Sequence, residues 1–158
     1  MRDHYSELAQ EAQRATYYRL REQAKQQALP KYDADRNAAS NELMRQVKLA
    51  ELDLFGVSFK DIDRWISKGA NGNAVYRYLV SKLPGEQTGM LRNLSYKLDK
   101  KGRLYTTNKA GKKAYADYYN PDLLSAANWY ANATKRRFDK EDEIENAYIN
   151  FVPKGYKD

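Results

Sequence analysis

The strongest constraint on this chain is where its helix breakers fall. Its 158 residues include only 4 prolines and 8 glycines, and none lies before Pro30, between Pro30 and Gly56, or between Pro121 and Pro153. Proline and glycine are the main local interrupters of regular structure, so three long stretches are left free to run as helices. In the first, Asp3 to Leu29, Tyr5, Leu8, Ala12 and Ala15 fall at helical spacing, and Leu20, Ala24 and Ala28 continue in four-residue steps. Good helix formers fill the gaps, and the alanines would let a second helix approach closely. In the second, Asp33 or Asp35 can cap a helix carrying Ala39, Leu43, Val47, Ala50 and Leu54, with Gly56 placed to end it. The short link around Pro30 favours an antiparallel pair, so 1–56 reads as a long helical hairpin.

Further on, the breakers crowd together and the elements shorten. Ser58 and Asp61 fit a capping box, and Val57 and Ile62 stand at the two positions of a hydrophobic staple. A helix from Phe59 to about Lys68 follows, with Phe59, Ile62, Trp65 and Ile66 on its apolar side and Gly69 at its end. Asn71-Gly72-Asn73 makes a turn and a cap for a helix from about Asn73 to Leu83, which buries Val75, Leu79 and Tyr76 or Tyr78 and stops before Pro84. Leu94, Tyr96 and Leu98 alternate with polar residues, Asp99-Lys100-Lys101-Gly102 reads as a turn, and Arg103 to Thr107 has strand composition. This predicts a β-hairpin over about 93–107. A helix ending near Leu98 competes with it, because Met90, Leu91, Leu94 and Leu98 also keep helical spacing.

Lys109 to Tyr119 reads as a helix with Ala110, Ala114 and Tyr118 on one side. Asn120-Pro121 then supplies a cap and a proline at the first helical position. Leu123, Leu124, Ala127, Ala131 and Phe138 carry this last helix to about Arg137, with a break at Asp139 and a resumption through Ile144, Tyr148 and Phe151. The expectation is a mainly α, compact multi-helix single domain over 1–158 with one small β-hairpin. It divides into the hairpin of 1–56, a middle region of 57–119, a C-terminal helix or helices of 120–152 and a tail of 153–158. No internal repeat is evident.

Several function classes drop out on residue types. The chain has no cysteine and a single histidine, His4, near the start. That removes disulfide scaffolds, thiolate zinc sites, multi-histidine metal sites and a Ser-His-Asp triad. Asn108-Lys109-Ala110-Gly111-Lys112-Lys113 lacks the spacing of a phosphate-binding Walker loop, and there is no dinucleotide fingerprint. A tyrosine nucleophile would need surrounding histidines the chain does not have. The acids Asp139, Glu141, Asp142, Glu143 and Glu145 read as a solvated helix face. The expectation is a protein that is not an enzyme, holds no cofactor or metal and has no small-molecule substrate. With no apolar leader at its start and no run long enough to span a bilayer, it is expected to be soluble, not secreted, and cytoplasmic or inside an assembled particle.

Charge supplies the positive signal. Between Met90 and Ala114 stand eight basic residues, Arg92, Lys97, Lys100, Lys101, Arg103, Lys109, Lys112 and Lys113, against one acid, Asp99. Their balance equals the net charge of the whole chain, +7, so the rest is neutral overall. Tyr96, Tyr105 and Tyr115 lie in or beside this stretch, with Asn93, Ser95, Thr106, Thr107 and Asn108 as neutral polar groups. Lysines supply charge to phosphates, small polar groups position a backbone, and tyrosine can stack on an unpaired base. The candidate nucleic-acid-binding residues are therefore Arg92, Lys97, Lys100, Lys101, Arg103, Tyr105, Lys109, Lys112 and Lys113.

The order helix, turn, helix, hairpin, helix over 58–119 resembles a winged-helix domain. Lys97 through Gly111 stands where a wing and the start of its closing helix would be. The resemblance implies that Asn71-Gly72-Asn73 and Arg77 form the exposed start of a recognition helix. The sequence departs from a standard helix-turn-helix at Trp65, where a small residue is expected, and at Arg64 and Lys68, where apolar ones are. Three readings follow: a nucleic-acid-binding protein, a structural or assembly component of a larger particle such as a phage virion, and an inhibitor or adaptor that docks on an acidic protein surface.

Overall fold

A computed structural model describes residues 4–52, 58–82 and 96–149. They form five helices and one three-stranded antiparallel sheet: α1 (His4–Ala28), α2 (Pro30–Leu49), α3 (Phe59–Ser67), α4 (Gly72–Val80), β1 (Lys97–Leu98), β2 (Leu104–Thr107), β3 (Lys113–Tyr115) and α5 (Pro121–Ile149). The mainly helical expectation holds. The expected termination at Leu54 and Gly56, the staple residue Val57, most of the competing helix from Met90, the end of the resumed helix at Phe151 and the tail of 153–158 lie outside the described residues.

The chain divides into two compact units, one taking in residues up to Ala34 and from Arg136 onward, the other Asp35–Lys135. In the first unit α1 meets the last turns of α5. Tyr17 and Tyr148 meet edge-on with ring centres 5.8 Å apart, and Lys25 Nζ donates to Glu145 Oε1 at 2.7 Å. That bond raises the lysine pKa and lowers the glutamate's. Arg137 Nε donates to Asp33 Oδ1 at 3.0 Å, and its Nη1 pairs with Glu141. The expected stripe is covered only in its second half: Leu8, Ala12, Ala15 and Leu20 are exposed, Ala24 and Ala28 are half-buried, and Gln10, Tyr17, Arg21, Glu22 and Lys25 make up the rest of the covered side. Long side chains such as Arg21 and Lys25 can cover apolar surface with their stems, so they share this side with the two alanines.

Two boundaries also differ from expectation. α2 starts at Pro30 rather than after Asp33 or Asp35, with proline at the first helical position, where its missing N–H costs nothing. Only Leu29 separates it from α1. The Leu29 N–H bonds the Lys25 carbonyl and the Asp33 N–H bonds the Leu29 carbonyl, both at 2.9 Å, so helical bonding continues through the join. α5 runs unbroken past Asp139. The Arg137–Glu141 and Lys140–Glu143 pairs bridge that turn at helical spacing, so no new cap is needed.

The second unit holds the main core. Ala39, Leu43 and Val47 of α2, Ile62 and Ile66 of α3, Val75, Tyr76, Leu79 and Val80 of α4, and Leu123, Ala126, Ala127 and Tyr130 of α5 form one buried cluster. Tyr96 and Leu104 bring the sheet into it. The capping box of α3 forms as expected. Ser58 accepts from the Asp61 N–H, and the Asp61 carboxylate accepts from the Ser58 N–H at 3.0 Å, which holds the Asp61 pKa low. Arg36 ties three helices together. Its guanidinium donates to Asp63 Oδ1 at 2.5 Å, Ser67 Oγ at 3.0 Å and Thr134 Oγ1 at 3.0 Å. Tyr130 Oη also donates to Asp63, and burial raises its pKa to about 12.

α4 starts hard against α5. Gly72 is buried, and a Cβ placed there would stand 2.4 Å from the Asn128 Cα and 2.6 Å from its backbone nitrogen. Asn71 caps the helix by accepting from the Ala74 N–H at 2.8 Å. The turn that a recognition helix would leave open is thus partly covered by α5. Asn120 caps α5 as expected, accepting from the Leu123 N–H at 3.0 Å. Its own N–H donates to the phenol oxygen of Tyr76 at 3.1 Å, tying the helix start to the core.

Candidate nucleic-acid interface

The sheet that carries the basic stretch is built from one turn used twice. In the first, the Asp99 N–H bonds the Arg103 carbonyl at 3.0 Å and the Gly102 N–H bonds the Asp99 carbonyl at 3.1 Å. The Asp99 carboxylate accepts from the N–H groups of Lys101 and Arg103 at 2.9 and 2.8 Å. In the second, Asn108 N–H bonds the Lys112 carbonyl at 2.9 Å and Gly111 N–H bonds the Asn108 carbonyl at 3.0 Å. The Asn108 side chain accepts from the N–H groups of Ala110 and Lys112 at 3.0 and 2.9 Å. Gly102 and Gly111 take φ of +81° and +77°, the left-handed geometry that closes such a turn before the next strand. Backbone donors, Arg103's first, and the nearby Lys113 and Arg103 charges hold the Asp99 pKa low, so it is ionised at neutral pH.

The second turn corrects the reading of Lys109 to Tyr119 as a helix. Those residues form the turn, β3 and the approach to α5. The four-residue spacing of Ala110, Ala114 and Tyr118 imitated a helix. The signal against it was in the sequence: Asn108-Lys109-Ala110-Gly111-Lys112 matches Asp99-Lys100-Lys101-Gly102-Arg103 as an Asp or Asn, a lysine, a glycine and a basic residue at the same offsets. The expectation of no internal repeat missed it. A closing helix over these residues, as the winged-helix resemblance implied, is likewise replaced by a strand.

Register sorts the side chains by face. Lys97 pairs with Tyr105 and Tyr105 with Tyr115, while Leu98 pairs with Leu104 and Thr106 with Ala114. Successive side chains alternate across a strand, so Leu98 and Leu104 turn towards the core and the other set turns away. The outer face carries Lys97, Tyr105, Thr107, Lys113 and Tyr115. Tyr105 and Tyr115 have ring centres 5.9 Å apart, and Lys113 Nζ lies 4.7 Å over the Tyr105 ring.

The candidate residues fall around this face. Lys97, Lys100, Lys101, Lys109, Lys112 and Lys113 are all exposed. Lys100 and Lys101 stand in the first turn and Lys109 and Lys112 in the second, at opposite ends of the three-stranded meander. Arg103 is partly committed, its guanidinium lying 5.7 Å over the Tyr119 ring. Tyr119 Oη donates to the Lys101 carbonyl at 3.0 Å, and a Cβ at Gly102 would stand 2.3 Å from Leu124 Cδ2, so the first turn is seated on the start of α5. Nothing lies within 4 Å of the same position at Gly111, so the second turn stands clear. Arg92 lies outside the described residues. Tyr96 is buried in the core and is not available to a base. Tyr115 was not among the candidate residues, and the register with Tyr105 brings it in.

Among the described residues, ion pairs involve Arg21, Lys25, Arg36, Arg45, Arg64, Arg137 and Lys140 among others, and no ion pair is seen on a basic side chain of 97–113. No group of three or more metal-ligating side chains is found among them either. No described helix is long and apolar enough to cross a membrane. No family model, curated protein or solved structure matches the chain.

Proposed function

We propose that this is a non-enzymatic protein that binds nucleic acid through the phosphate backbone, using the basic sheet of β1–β3 and its two turns. The observation that carries this reading is six exposed lysines on one small sheet, outside the ion pairs of the rest of the chain. Ammonium groups displayed in this way can replace counterions along a polyanion, and release of those ions drives association. Paired turns at the two ends of the sheet spread the charge along a track rather than at a point.

The test is binding of a labelled duplex across a salt series. About five phosphate contacts give a slope near −4.5 in log K against log salt. Each of Lys100→Ala, Lys101→Ala and Lys112→Ala should flatten that slope by about one unit and weaken all sequences alike, since lysine at a phosphate positions rather than specifies. Lys48→Ala, on the exposed end of α2, serves as the control and should change nothing. Absence of binding at about 50 mM salt, or a triple variant that binds as well as the parent, overturns the reading. Saturable, salt-steep binding to an acidic protein alone would move the sheet to the adaptor class.

A further inference from the structure

We infer that the outer face of the sheet is a stacking platform for single-stranded nucleic acid, with unpaired bases on Tyr105 and Tyr115 and the strand's phosphates on the lysines around them. This rests on the nucleic-acid reading above and narrows it to one class of ligand. A charged track for duplex DNA needs no aromatic rings at its centre. Here Tyr105, half-buried on the central strand, and Tyr115, exposed on the edge strand, stand side by side on the outer face, in register with Lys97. Tyr115 is 48% exposed, with its ring centre 5.9 Å from that of Tyr105. Base faces are hidden inside a duplex and open in a single strand, and every base offers a π face to an aromatic ring.

Lys113 supports the same ligand. Its ammonium lies 4.7 Å over the half-buried Tyr105 ring, so this ring face already holds a cation of the chain's own. A base arriving on Tyr105 takes the place of that ammonium, which is then released next to the phosphate that came with the base. Thr107, paired with Lys113 on the same face, adds a hydroxyl suited to phosphate or sugar. The lysine-bearing turns extend the charge beyond both edges of the ring pair. The competing role for the tyrosines is cross-strand packing alone, which would stabilise the sheet without touching a ligand.

The test compares oligothymidylate, oligouridylate and a mixed-sequence duplex of equal length by fluorescence anisotropy. The single strands should bind at least about tenfold more tightly than the duplex, with a shallower salt slope, near −3.5 for five contacts. Whether the thymidylate or the uridylate binds better tells DNA from RNA, and either preference over duplex supports the platform. Tyr115→Leu should cost about tenfold on single strands and leave the duplex affinity and both salt slopes unchanged, while Tyr115→Phe should keep full affinity. The Phe variant and an unchanged melting curve separate lost stacking from a disturbed sheet. Photocrosslinking with iodouracil in place of thymine should map to Tyr105 or Tyr115. Equal binding of single strand and duplex, with Tyr115→Leu silent and the salt dependence intact, overturns the platform and leaves the backbone-binding function standing. No binding to any of the three probes removes both.

Discussion

Gly72→Ala tests the packing of the second unit at its tightest point, because two effects of opposite sign meet there. Alanine is the better helix residue by up to about 1 kcal/mol, and Gly72 opens α4 with no positive φ to preserve, so propensity alone predicts a gain. Sterics predict a loss. The added methyl would sit 2.4 and 2.6 Å from backbone atoms of Asn128, where ordinary contact begins near 3.4 Å, so α4 must withdraw from α5 by about 1 Å. A gap of that size forfeits a quarter to a half of each dispersion well along the interface, and Val75, Tyr76 and Leu79 all lie in the cluster that α4 shares with α5. Overpacking of this kind costs about 1–3 kcal/mol, with the lost contacts added to it, so the net expectation is a destabilisation of about 2–3 kcal/mol. For a chain of this size that lowers Tm by about 5–10 °C, read by circular dichroism at the helical band. The Asn128 side-chain oxygen also stands 2.3 Å from that methyl, but the backbone atoms stay in place without it, so the double variant Gly72→Ala, Asn128→Ala should not recover most of the loss. A Gly72→Ala protein as stable as the parent, or one rescued by Asn128→Ala, would refute the close approach of the two helices.

Asn120→Ala removes the α5 cap and the amide that donates to Tyr118 at 2.9 Å, and should cost about 1–2 kcal/mol in urea unfolding, whereas Asn120→Asp should recover most of the capping loss. Acid should destabilise the protein in part through Glu42. Hydrogen bonds from Arg45 and then Gln46 hold its pKa at about 2 against an ordinary 4.5, so the native state binds fewer protons than the unfolded one in that interval. The stabilisation is therefore complete above about pH 4.5 and is lost as pH falls through about 2, and Glu42→Gln should show a smaller drop in Tm across that window.

Local chemistry was legible in the sequence where a side chain bonds its own neighbourhood. The Ser58–Asp61 box, the Asn71 and Asn120 caps, Pro121 and the Asp99–Gly102 turn all form as read. Core residues at clean helical spacing, such as Ala39, Leu43 and Val47, also emerged buried. What failed was inference from small residues. Of the α1 alanines that kept a helical period, Ala12 and Ala15 lie exposed while Ala24 and Ala28 are half-buried, because alanine neither gains nor loses much by facing water. The alanines of 109–119 kept the same period inside a turn and a strand. At the interface the charge could be counted in advance, but which tyrosines share its face is a matter of strand register. That depends on the second turn, so Tyr115 entered the site only with the structure.

The two turns differ at one atom pair with a large electrical consequence. Asp99 and Asn108 accept the same two backbone N–H groups in the same positions, so either residue serves the geometry. One is ionised and the other is neutral. Shape and field are therefore separable in this sheet. Exchanging Asp and Asn at either turn shifts the local charge by a full unit while leaving the loop its acceptor, and at Asp99 the exchange also gives up the charge-assisted bonds that hold its pKa low. If the sheet binds a polyanion as proposed above, the second turn, which stands clear of the rest of the protein, is the place where a single Asn-to-Asp exchange would retune that attraction with least effect on packing.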